Sequence, residues 1–419
     1  MKTKSLDAWL SWQQQLHASS IELGLERISK VAEKLQLTSP PFLVITVAGT
    51  NGKGSSVAMF ESILSRAGFK VGAYTSPHFL KYNERVRIKQ LPVSDDLLCE
   101  AFEKVESSRD NTSLSFFEYG TLAALSIFIK ERVEIAILEV GLGGRLDAVN
   151  VLDNDLSVIT SISLDHTDWL GEDREAIAYE KSGIMRPGKP AVCIDRNPPK
   201  TIANTAKEKN ANLYQIGQDF DFRRQSKSWV FTDNDGCEHE FPYPSISGRV
   251  QLHNACGVLM GIKLLQLSRE VKRDAYVEGL QNINILGRFQ TIKGDIETLL
   301  DIAHNQESAM VLSENLSELR ENKTLHAVFA VLADKDVASI LNELDSLFCS
   351  WHISKPANAR GLSVEALSNN LKKRHINDVH SYATVTSAYH GALNLAQRGE
   401  SVVVFGSAFT VAEVLSLHV

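Results

Sequence analysis

The sequence predicts an α/β protein of two domains, each built on a parallel sheet covered by helices. At 419 residues the chain is too long for one ordinary core, which favours two domains. Short apolar runs alternate with helix-length segments in both halves of the chain, a pattern typical of parallel strands joined by helical crossovers. A composition of 43% hydrophobic and 23% charged residues is that of a soluble globular protein.

The strand-like runs fall into two series. After an N-terminal helical segment, the first series lies at residues 43–48, 71–75, 135–140, 156–161 and 191–194. Residues 228–243 differ, because a turn cluster at 233–236 separates two runs and predicts an antiparallel hairpin at the sheet edge. The second series lies at 298–302, 327–331, 347–353 and 402–405. Gly287 and Gly294 bracket a short run between the series, so we place the domains at residues 1–287 and 288–419.

Charge and cysteine content exclude several classes of protein. A net charge of −7 argues against a general nucleic-acid or membrane-surface binder. The five cysteines are scattered without a Cys-x-x-Cys spacing, which suggests neither a disulfide framework nor a zinc site and favours a cytoplasmic location. The N-terminus lacks a long apolar core, and no later run is long enough to span a bilayer. Nothing in the predicted site requires a second chain, so we expect a monomer.

A glycine-rich segment after the first predicted strand is the strongest functional signal. It consists of Gly49, Thr50, Asn51, Gly52, Lys53, Gly54 and Ser55 and opens a helix-like segment. Glycines let successive N–H groups face a polyphosphate, Lys53 supplies a positive charge, and Ser55 offers an oxygen to Mg²⁺. The spacing is not that of the standard phosphate-loop motif, because Gly54 stands between Lys53 and Ser55. The alternative is a simple strand-to-helix turn, but the combination of strand, lysine and serine favours triphosphate binding.

Further polar clusters follow predicted strands, where open α/β sheets gather their ligand-binding loops. In the first cluster Ser76 can coordinate a metal or phosphate and Arg85 can bind an anionic substrate, although a capped turn is an equal alternative. Glu139 ends an apolar strand and runs into three glycines. Burying an unpaired carboxylate is costly, so Glu139 is a natural Mg²⁺ ligand. The competing hypothesis is a structural salt bridge to Arg145.

Three more positions carry weaker signals. His166, close to two aspartates at a strand end, can complete a metal site, although a lone histidine is more often structural. Lys181 lies at a tight helix-to-loop junction, and the residues alone leave an ordinary surface lysine as the default. In the second domain Asp301 can accept hydrogen bonds from a ribose, while His304 or Arg288 can reach a phosphate.

These motifs closely resemble those of the bacterial bifunctional dihydrofolate synthase/folylpolyglutamate synthases, a family within the ATP-dependent Mur ligase superfamily. The resemblance covers essentially the whole chain and rests on segments at residues 47–55, 74–78, 117–121, 139–147, 164–168 and 301–305. The altered phosphate-loop spacing is the form that this family uses. The resemblance implies an N-terminal P-loop ATPase-like domain and a C-terminal Rossmann-like domain, with ATP and substrates in the cleft between them.

The resemblance also implies roles for individual residues. Lys53 and the neighbouring amides would hold the β- and γ-phosphates, and Lys181 matches a lysine that this family carbamylates with CO₂. The two Mg²⁺ ions would be held by Ser55, Ser76, Glu139 and His166. The nucleotide would be contacted by Asn254, Arg288, Asp301 and His304. Phe117 and Asp147 match the pterin-binding region, and Ser407 after the last strand is our candidate for the L-glutamate site.

The activity implied is an ATP- and Mg²⁺-dependent ligase that adds L-glutamate to 7,8-dihydropteroate and to tetrahydrofolates through an acyl phosphate. A folylpolyglutamate synthase without the dihydropteroate reaction shares almost every motif, although Phe117 and Asp147 favour the bifunctional form. A peptidoglycan-precursor ligase would ordinarily carry an additional N-terminal substrate domain. A nucleotide-dependent switch protein accounts for the phosphate loop but does not need Glu139, His166 and a complete second domain.

Overall fold

The structure is a computed structural model and describes residues 4–17, 22–246, 248–320 and 323–418. The chain forms two compact units. Unit 1 comprises residues 1–78, 82–245 and 251–283, and unit 2 comprises residues 79–81, 246–250 and 284–419. In the part of the chain that the structure describes, no helix is both long and apolar enough to cross a membrane.

Unit 1 is built on an eight-stranded sheet. Its strands are β1 (Leu43–Ala48), β2 (Val71–Tyr74), β3 (Val86–Ile88), β4 (Leu91–Pro92), β5 (Ile135–Glu139), β6 (Leu156–Ile159), β7 (Pro190–Cys193) and β8 (Asn212–Gln215). Their order is β4-β3-β2-β5-β1-β6-β7-β8, parallel from β2 to β8 and antiparallel at β3 and β4. All five predicted strands are present, with ends within two residues, and the parallel sheet is confirmed. The short edge strands β3, β4 and β8 were not predicted.

The central strands are buried because both faces of the sheet are covered. In β1 every residue after Leu43 is buried, which explains its near-continuous apolar sequence. The helices of unit 1 are α1 (Leu6–Leu16), α2 (Glu26–Lys34), α3 (Lys53–Arg66), α4 (Asp95–Arg109), α5 (Phe116–Lys130), α6 (Thr167–Leu170), α7 (Arg174–Ser182), α8 (Lys200–Lys209), α9 (Arg249–Leu264, whose first two residues belong to unit 2) and α10 (Arg273–Gln281). Helix α5 begins with a capping box, in which Ser115 and Glu118 each accept the other's backbone N–H.

The predicted hairpin is confirmed, but its position differs from the expectation. Strands β9 (Asp221–Arg224), β10 (Ser228–Thr232) and β11 (Glu238–Pro242) form a separate three-stranded antiparallel sheet instead of extending the edge of the eight-stranded sheet. The turn between β10 and β11 is closed by Asp233, whose Oδ1 accepts the N–H groups of Asp235 at 3.0 Å and Cys237 at 2.9 Å. A local turn signal therefore predicted the hairpin, whereas the sheet that it joins depends on distant residues.

Unit 2 contains a six-stranded sheet covered by helices. Its strands are β12 (Gln290–Ile292), β13 (Glu297–Leu300), β14 (Leu325–Phe329), β15 (Ser350–Ile353), β16 (Val379–Ser381) and β17 (Ser401–Phe405), in the order β12-β13-β17-β14-β15-β16. Only β12 is antiparallel to its neighbour. The helices are α11 (Gln306–Arg320), α12 (Val337–Leu344), α13 (Val364–Lys373), α14 (Val385–Leu395) and α15 (Ala408–Leu415).

The four strands predicted for the second half of the chain are present, with one correction. The strand expected at 347–353 begins only at Ser350, because Asp345–Leu347 forms a 3-10 turn at the end of α12. Aromatic packing fills the core beneath these strands: the rings of Phe329 and Phe405 stack with their centroids 4.8 Å apart, and Trp351 lies edge-on to Phe329. A large apolar residue on each of three neighbouring strands thus accounts for the buried face of this sheet.

Candidate functional site

The glycine-rich segment forms a tight loop between β1 and α3. Gly49 and Gly52 both have positive φ, at 145° and 89°. A Cβ atom on Gly49 would lie 1.7 Å from Thr160 Oγ1, and one on Gly52 would lie 2.7 Å from Asn254 Oδ1. The loop is therefore pressed between the residues that follow β6 and helix α9, and only glycine fits at these two positions.

Two lysines converge on one carbonyl oxygen of this loop. Lys53 Nζ donates to the carbonyl oxygens of Gly49 at 2.9 Å and Thr50 at 3.0 Å. Lys181 Nζ, from the end of α7, donates to the same oxygen of Gly49 at 2.8 Å. Lys181 is only 5% exposed, so the default interpretation of an ordinary surface lysine is wrong. The arrangement places two amine side chains beside a loop whose backbone suits an anion.

The first residues of the loop are tied to the segment after β6. The N–H of Thr50 donates to the carbonyl oxygen of Ser161 at 2.7 Å, and the N–H of Asn51 donates to Ser161 Oγ at 3.1 Å. The Thr50 hydroxyl donates to the carbonyl oxygen of Ser163 at 3.1 Å. Gly54 and Ser55 instead lie in the first turn of α3, where N–H groups have no intrahelical partner and suit a phosphate.

Glu139 ends β5 beside the phosphate loop. It pairs in register with Val47 of the neighbouring parallel strand β1. Its side chain is buried, and its Oε2 accepts the N–H of Ser76 at 3.0 Å, which brings two of the predicted metal ligands together. Arg145 pairs with Glu180 at 2.8 Å, so the alternative of a Glu139–Arg145 salt bridge is wrong. A buried carboxylate is an oxygen ligand that fits a hard divalent cation such as Mg²⁺, and Ser76, whose backbone binds it, carries a hydroxyl that can be a second ligand.

His166 lies on the loop that Thr50 holds. It is the residue before α6 and has a left-handed backbone, with φ 52° and ψ 39°. Its N–H donates to Asp165 Oδ1 at 2.9 Å. A left-handed conformation costs a non-glycine residue about 1 kcal/mol, so the surrounding structure must hold it. The structure thus places His166 on the same polar edge as the phosphate loop, because Ser163 and Thr50 are bonded to each other in both directions.

The two residues predicted for the pterin region lie close to Gly141 and to the next residue, Leu142. The Phe117 ring stacks on Tyr74, with centroids 5.6 Å apart, and a Cβ on Gly141 would lie 2.7 Å from that ring. Asp147 is buried and accepts the N–H groups of Leu142 at 2.8 Å and Val149 at 3.1 Å. Burial raises the pKa of Asp147 to about 7, against the opposing effects of backbone hydrogen bonds and the Lys53 charge.

Arg85 is held by aromatic rings and a neutral histidine. Its Nε donates to His78 Nδ1 at 2.8 Å, and its guanidinium lies 5.5 Å from the ring centroid of Tyr82 and 5.6 Å from that of Phe116. Burial and the Arg85 charge lower the pKa of His78 to about 4, so His78 is neutral near pH 7 and can accept this hydrogen bond. The guanidinium is therefore preorganised for an anionic group.

Two of the predicted nucleotide contacts, Asn254 and Asp301, make hydrogen bonds to nearby residues. Asn254 is buried on α9 against Gly52, and its Nδ2 donates to Gln251 at 3.0 Å. In unit 2, Asp301 accepts the N–H groups of Phe289 and Ala303, each at 2.9 Å; burial raises its pKa, and the Arg288 charge opposes that rise.

Two other candidates in unit 2 have side chains engaged in local structure. His304 Nδ1 donates to the carbonyl oxygen of Ile302 at 2.8 Å, which fixes the tautomer of this ring when it is neutral. Ser407 caps helix α15, where its hydroxyl accepts the N–H of Thr410 at 3.1 Å. The Ser407 side chain therefore has a structural role, and its contact with glutamate stays a prediction.

Comparison with known proteins establishes the family. The Mur ligase middle domain model matches residues 47–260, and the Mur ligase glutamate ligase domain model matches residues 287–408. The dihydrofolate synthase/folylpolyglutamate synthase of Escherichia coli K12 is 40% identical over 412 residues, which cover 98% of this chain and 95% of the relative. The chain belongs to the dihydrofolate synthase/folylpolyglutamate synthase family.

Solved structures of the dihydrofolate synthase/folylpolyglutamate synthase family agree with this fold throughout. Escherichia coli FolC in complex with DHPP and ADP is 40% identical, with a TM-score of 0.94 over 99% of this chain and 98% of its own. A bifunctional family member with Mn, AMPPNP and L-glutamate bound is 39% identical, with a TM-score of 0.91 over 100% of this chain and 99% of its own. The predicted family, the α/β fold and the ATP-dependent glutamate ligase class are confirmed, and a switch protein is excluded.

Some residues that shape the site of this family member were not predicted from its sequence. Thr160 underlies Gly49, Ser161 binds the two following N–H groups, and Tyr74 supports Phe117. A signal was available for the first two, because Thr160, Ser161 and Ser163 form a hydroxyl-rich run directly after a buried apolar strand. Tyr74 offered none, since an aromatic residue at the end of a strand is more often core.

Proposed function

We propose that this ligase adds L-glutamate both to 7,8-dihydropteroate, giving dihydrofolate, and to tetrahydrofolates, giving their polyglutamates. The observation that carries the proposal is the buried Glu139, which lies opposite Val47 at the carboxyl end of β5 and accepts the N–H of Ser76 beside the phosphate loop. A relative with DHPP and ADP bound and another with L-glutamate bound support the same substrates for this chain. We also propose a cytoplasmic monomer with domains at residues 1–287 and 288–419.

Four oxygen and nitrogen donors are proposed to hold two Mg²⁺ ions: Ser55, Ser76, Glu139 and His166. Bound Mg²⁺ would neutralise charge on the transferring phosphoryl group and polarise it. The carboxylate of Glu139 is held in place by the backbone N–H of Ser76, so the Glu139 side chain and the Ser76 backbone are fixed relative to each other. A relative with Mn and AMPPNP bound supports a divalent ion and a nucleotide for this chain, and the four ligands stay our prediction.

The proposed nucleotide contacts begin at the phosphate loop. Lys53 would leave its two loop carbonyls to approach the β- and γ-phosphates, and the N–H groups of Gly54 and Ser55 at the start of α3 would donate to phosphate oxygens. The hydrogen bonds from Thr50 and Asn51 to Ser161 hold the first residues of the loop in place for this contact. Asn254, Arg288, Asp301 and His304 remain our predicted contacts to the rest of the nucleotide.

The proposed chemistry needs no protein nucleophile. The pteroate carboxylate attacks the γ-phosphate and ADP leaves, giving an acyl phosphate; the amino group of glutamate then displaces phosphate and loses a proton. Lys53 would stabilise the charge on the transferring group. Phe117 and Asp147 would bind the pterin ring, Arg85 would hold an anionic group of the substrate, and Ser407 is the candidate contact for glutamate.

Lys181 is proposed to carry a carbamate. Its amine would attack CO₂ and lose a proton, turning a cation into an anionic oxygen donor. The buried position of Lys181 beside Gly49 supports the proposal, because a buried cation is costly and the neutral amine is the form that reacts with CO₂. The carbamate would then lie beside the phosphate loop, where it can orient a metal-bound group.

The experiment that tests the proposed function is phosphate release from ATP and Mg²⁺ with glutamate, comparing 7,8-dihydropteroate with a tetrahydrofolate as acceptor. Release with both acceptors, and none without glutamate, is expected. Release with tetrahydrofolate alone would favour the second candidate, a folylpolyglutamate synthase without the dihydropteroate reaction. Release with neither acceptor would contradict the proposal.

The Lys53→Ala variant tests the phosphate contact. We expect turnover to fall by at least about 100-fold, because the variant lacks a charge that stabilises the transition state. The Lys207→Ala variant, which removes an exposed lysine on α8, is the control and should keep its activity. Circular dichroism of both variants checks that they are folded. Substantial ligation by a folded Lys53→Ala protein would contradict the role of Lys53.

A further inference from the structure

A nearly buried ion pair outside the proposed site joins α3 to β3. Glu61 lies on α3, and its side chain is only 4% exposed. Arg87 lies on β3 and donates to Glu61 Oε2 from Nε at 3.0 Å and from Nη2 at 2.8 Å. The other carboxylate oxygen accepts the N–H of Gln90 at 3.1 Å. Both carboxylate oxygens of Glu61 are thus hydrogen-bonded, which fixes the orientation of the carboxylate relative to the Arg87 guanidinium.

The remaining nitrogen of the Arg87 guanidinium reaches two segments that carry predicted site residues. Nη1 donates to Thr75 Oγ1 at 2.9 Å and to the carbonyl oxygen of Glu84 at 3.0 Å. Thr75 directly precedes Ser76, whose N–H donates to Glu139, and Glu84 directly precedes Arg85. The N–H of Thr75 also donates to the carbonyl oxygen of Arg85 at 2.9 Å. One guanidinium therefore connects α3, the segment after β2 and the turn before β3.

Stability alone does not explain this pair. An apolar pair of similar volume is often as stable as a buried ion pair, because burying two charges offsets most of their attraction. What an apolar pair lacks is a planar group with donors in several fixed directions, and a lysine cannot supply it either. Arg87 uses those directions to reach Glu61, Thr75 and Glu84 at once.

We infer that Arg87 is a positioning residue for the metal site: through Thr75 Oγ1 it fixes the backbone of Ser76, and through Glu84 it fixes that of Arg85. The inference rests on the proposed function, in which Ser76 binds a divalent ion. Glu61 acts through Arg87 by fixing the orientation of its guanidinium. Glu61, Thr75 and Arg87 are not among the residues that we propose to bind substrate, nucleotide or metal.

The Thr75→Val variant tests the inference with the smallest change. It removes the hydroxyl that Arg87 binds and leaves the Glu61–Arg87 pair and the Arg87 contact with Glu84 in place. We expect the affinity for Mn²⁺ in the presence of AMPPNP, measured by electron paramagnetic resonance, to fall about 10-fold, as when the supporting residues of a metal site are changed. The apoprotein should stay folded, with its melting temperature lowered by no more than about 4 °C, because one N–H of the guanidinium loses its acceptor while the other bonds remain. Thr75→Ser should restore the wild-type affinity.

A second variant separates positioning from folding. Arg87→Met alone would leave the Glu61 carboxylate buried without its cation and should unfold more easily. The double variant Glu61→Met, Arg87→Met should fold but show the same loss of Mn²⁺ affinity as Thr75→Val. Wild-type affinity in either Thr75→Val or the folded double variant would overturn the inference.

The outcomes also separate this inference from the proposed function. A wild-type protein that binds Mn²⁺ with AMPPNP but ligates no glutamate would refute the proposed reaction, and the comparison of Mn²⁺ affinities would still decide the role of Arg87. If the wild-type protein binds no Mn²⁺ under these conditions, the inference falls together with the assignment of Ser76.

Discussion

The pKa of Asp147 leads to a prediction about stability. Burial raises this pKa from the usual 3.8 to about 7. Between these two values the folded protein keeps a proton that the unfolded chain has released, so stability falls as pH rises. The contribution of Asp147 is fully present below about pH 4 and is lost as pH rises through about 7. The difference between the two pKa values corresponds to about 4 kcal/mol of unfolding free energy.

The perturbation that isolates this effect is Asp147→Asn. The amide oxygen can still accept one of the N–H groups of Leu142 and Val149, and the side chain no longer titrates. Any hydrogen bond lost in the variant lowers stability by a constant amount at every pH. The difference in unfolding free energy between the wild type and Asp147→Asn should therefore shift by up to about 4 kcal/mol from pH 4 to pH 8, in favour of the variant at high pH.

The assay is urea unfolding of the ligand-free protein at a series of pH values. Tryptophan fluorescence reports mainly on unit 1, because Trp9, Trp12, Trp169 and Trp229 belong to it and only Trp351 belongs to unit 2. A two-unit chain can unfold in two steps, so the earlier and later transitions are fitted separately. A free-energy difference that stays constant across this pH range would refute the reasoning, since it would show that the Asp147 carboxyl ionises as easily folded as unfolded.

Two further predictions concern packing. Gln13 on α1 is buried, and among the described residues neither its amide nitrogen nor its amide oxygen has a hydrogen-bond partner. The Gln13→Leu variant should therefore raise the free energy of unfolding by about 1–3 kcal/mol. The control Gln14→Leu, at an exposed position, should change it by less than about 0.5 kcal/mol. Gly49→Ala should abolish binding of a fluorescent ATP analogue, because the added Cβ would overlap Thr160 Oγ1. The control Gly188→Ala also lies at a positive φ but has open space around it, so this variant should bind the analogue normally. An unstabilised Gln13→Leu protein, or nucleotide binding by Gly49→Ala, would contradict these interpretations.

Local patterns in the sequence were sufficient for much of the fold. The apolar runs at β1 and β5 predict buried parallel strands because both faces of such a sheet are covered. The glycines of the phosphate loop predict a tightly curled backbone, and Gly49 and Gly52 adopt the positive φ that such a backbone uses. Short edge strands such as β8 and β16 escaped prediction, since a few half-exposed residues carry no clear periodicity.

The sequence by itself determined the order of the elements, the phosphate loop, the position of Glu139 at the end of a strand, and the family to which the chain belongs. Each of these depends on residues that are close together in the chain. Only the tertiary structure decided that Lys181 donates to Gly49, that Arg145 pairs with Glu180, and that Arg87 connects Glu61 with Thr75. These contacts join distant segments, and packing sets the directions of their side chains; no local spacing records which partner a buried lysine or arginine will meet.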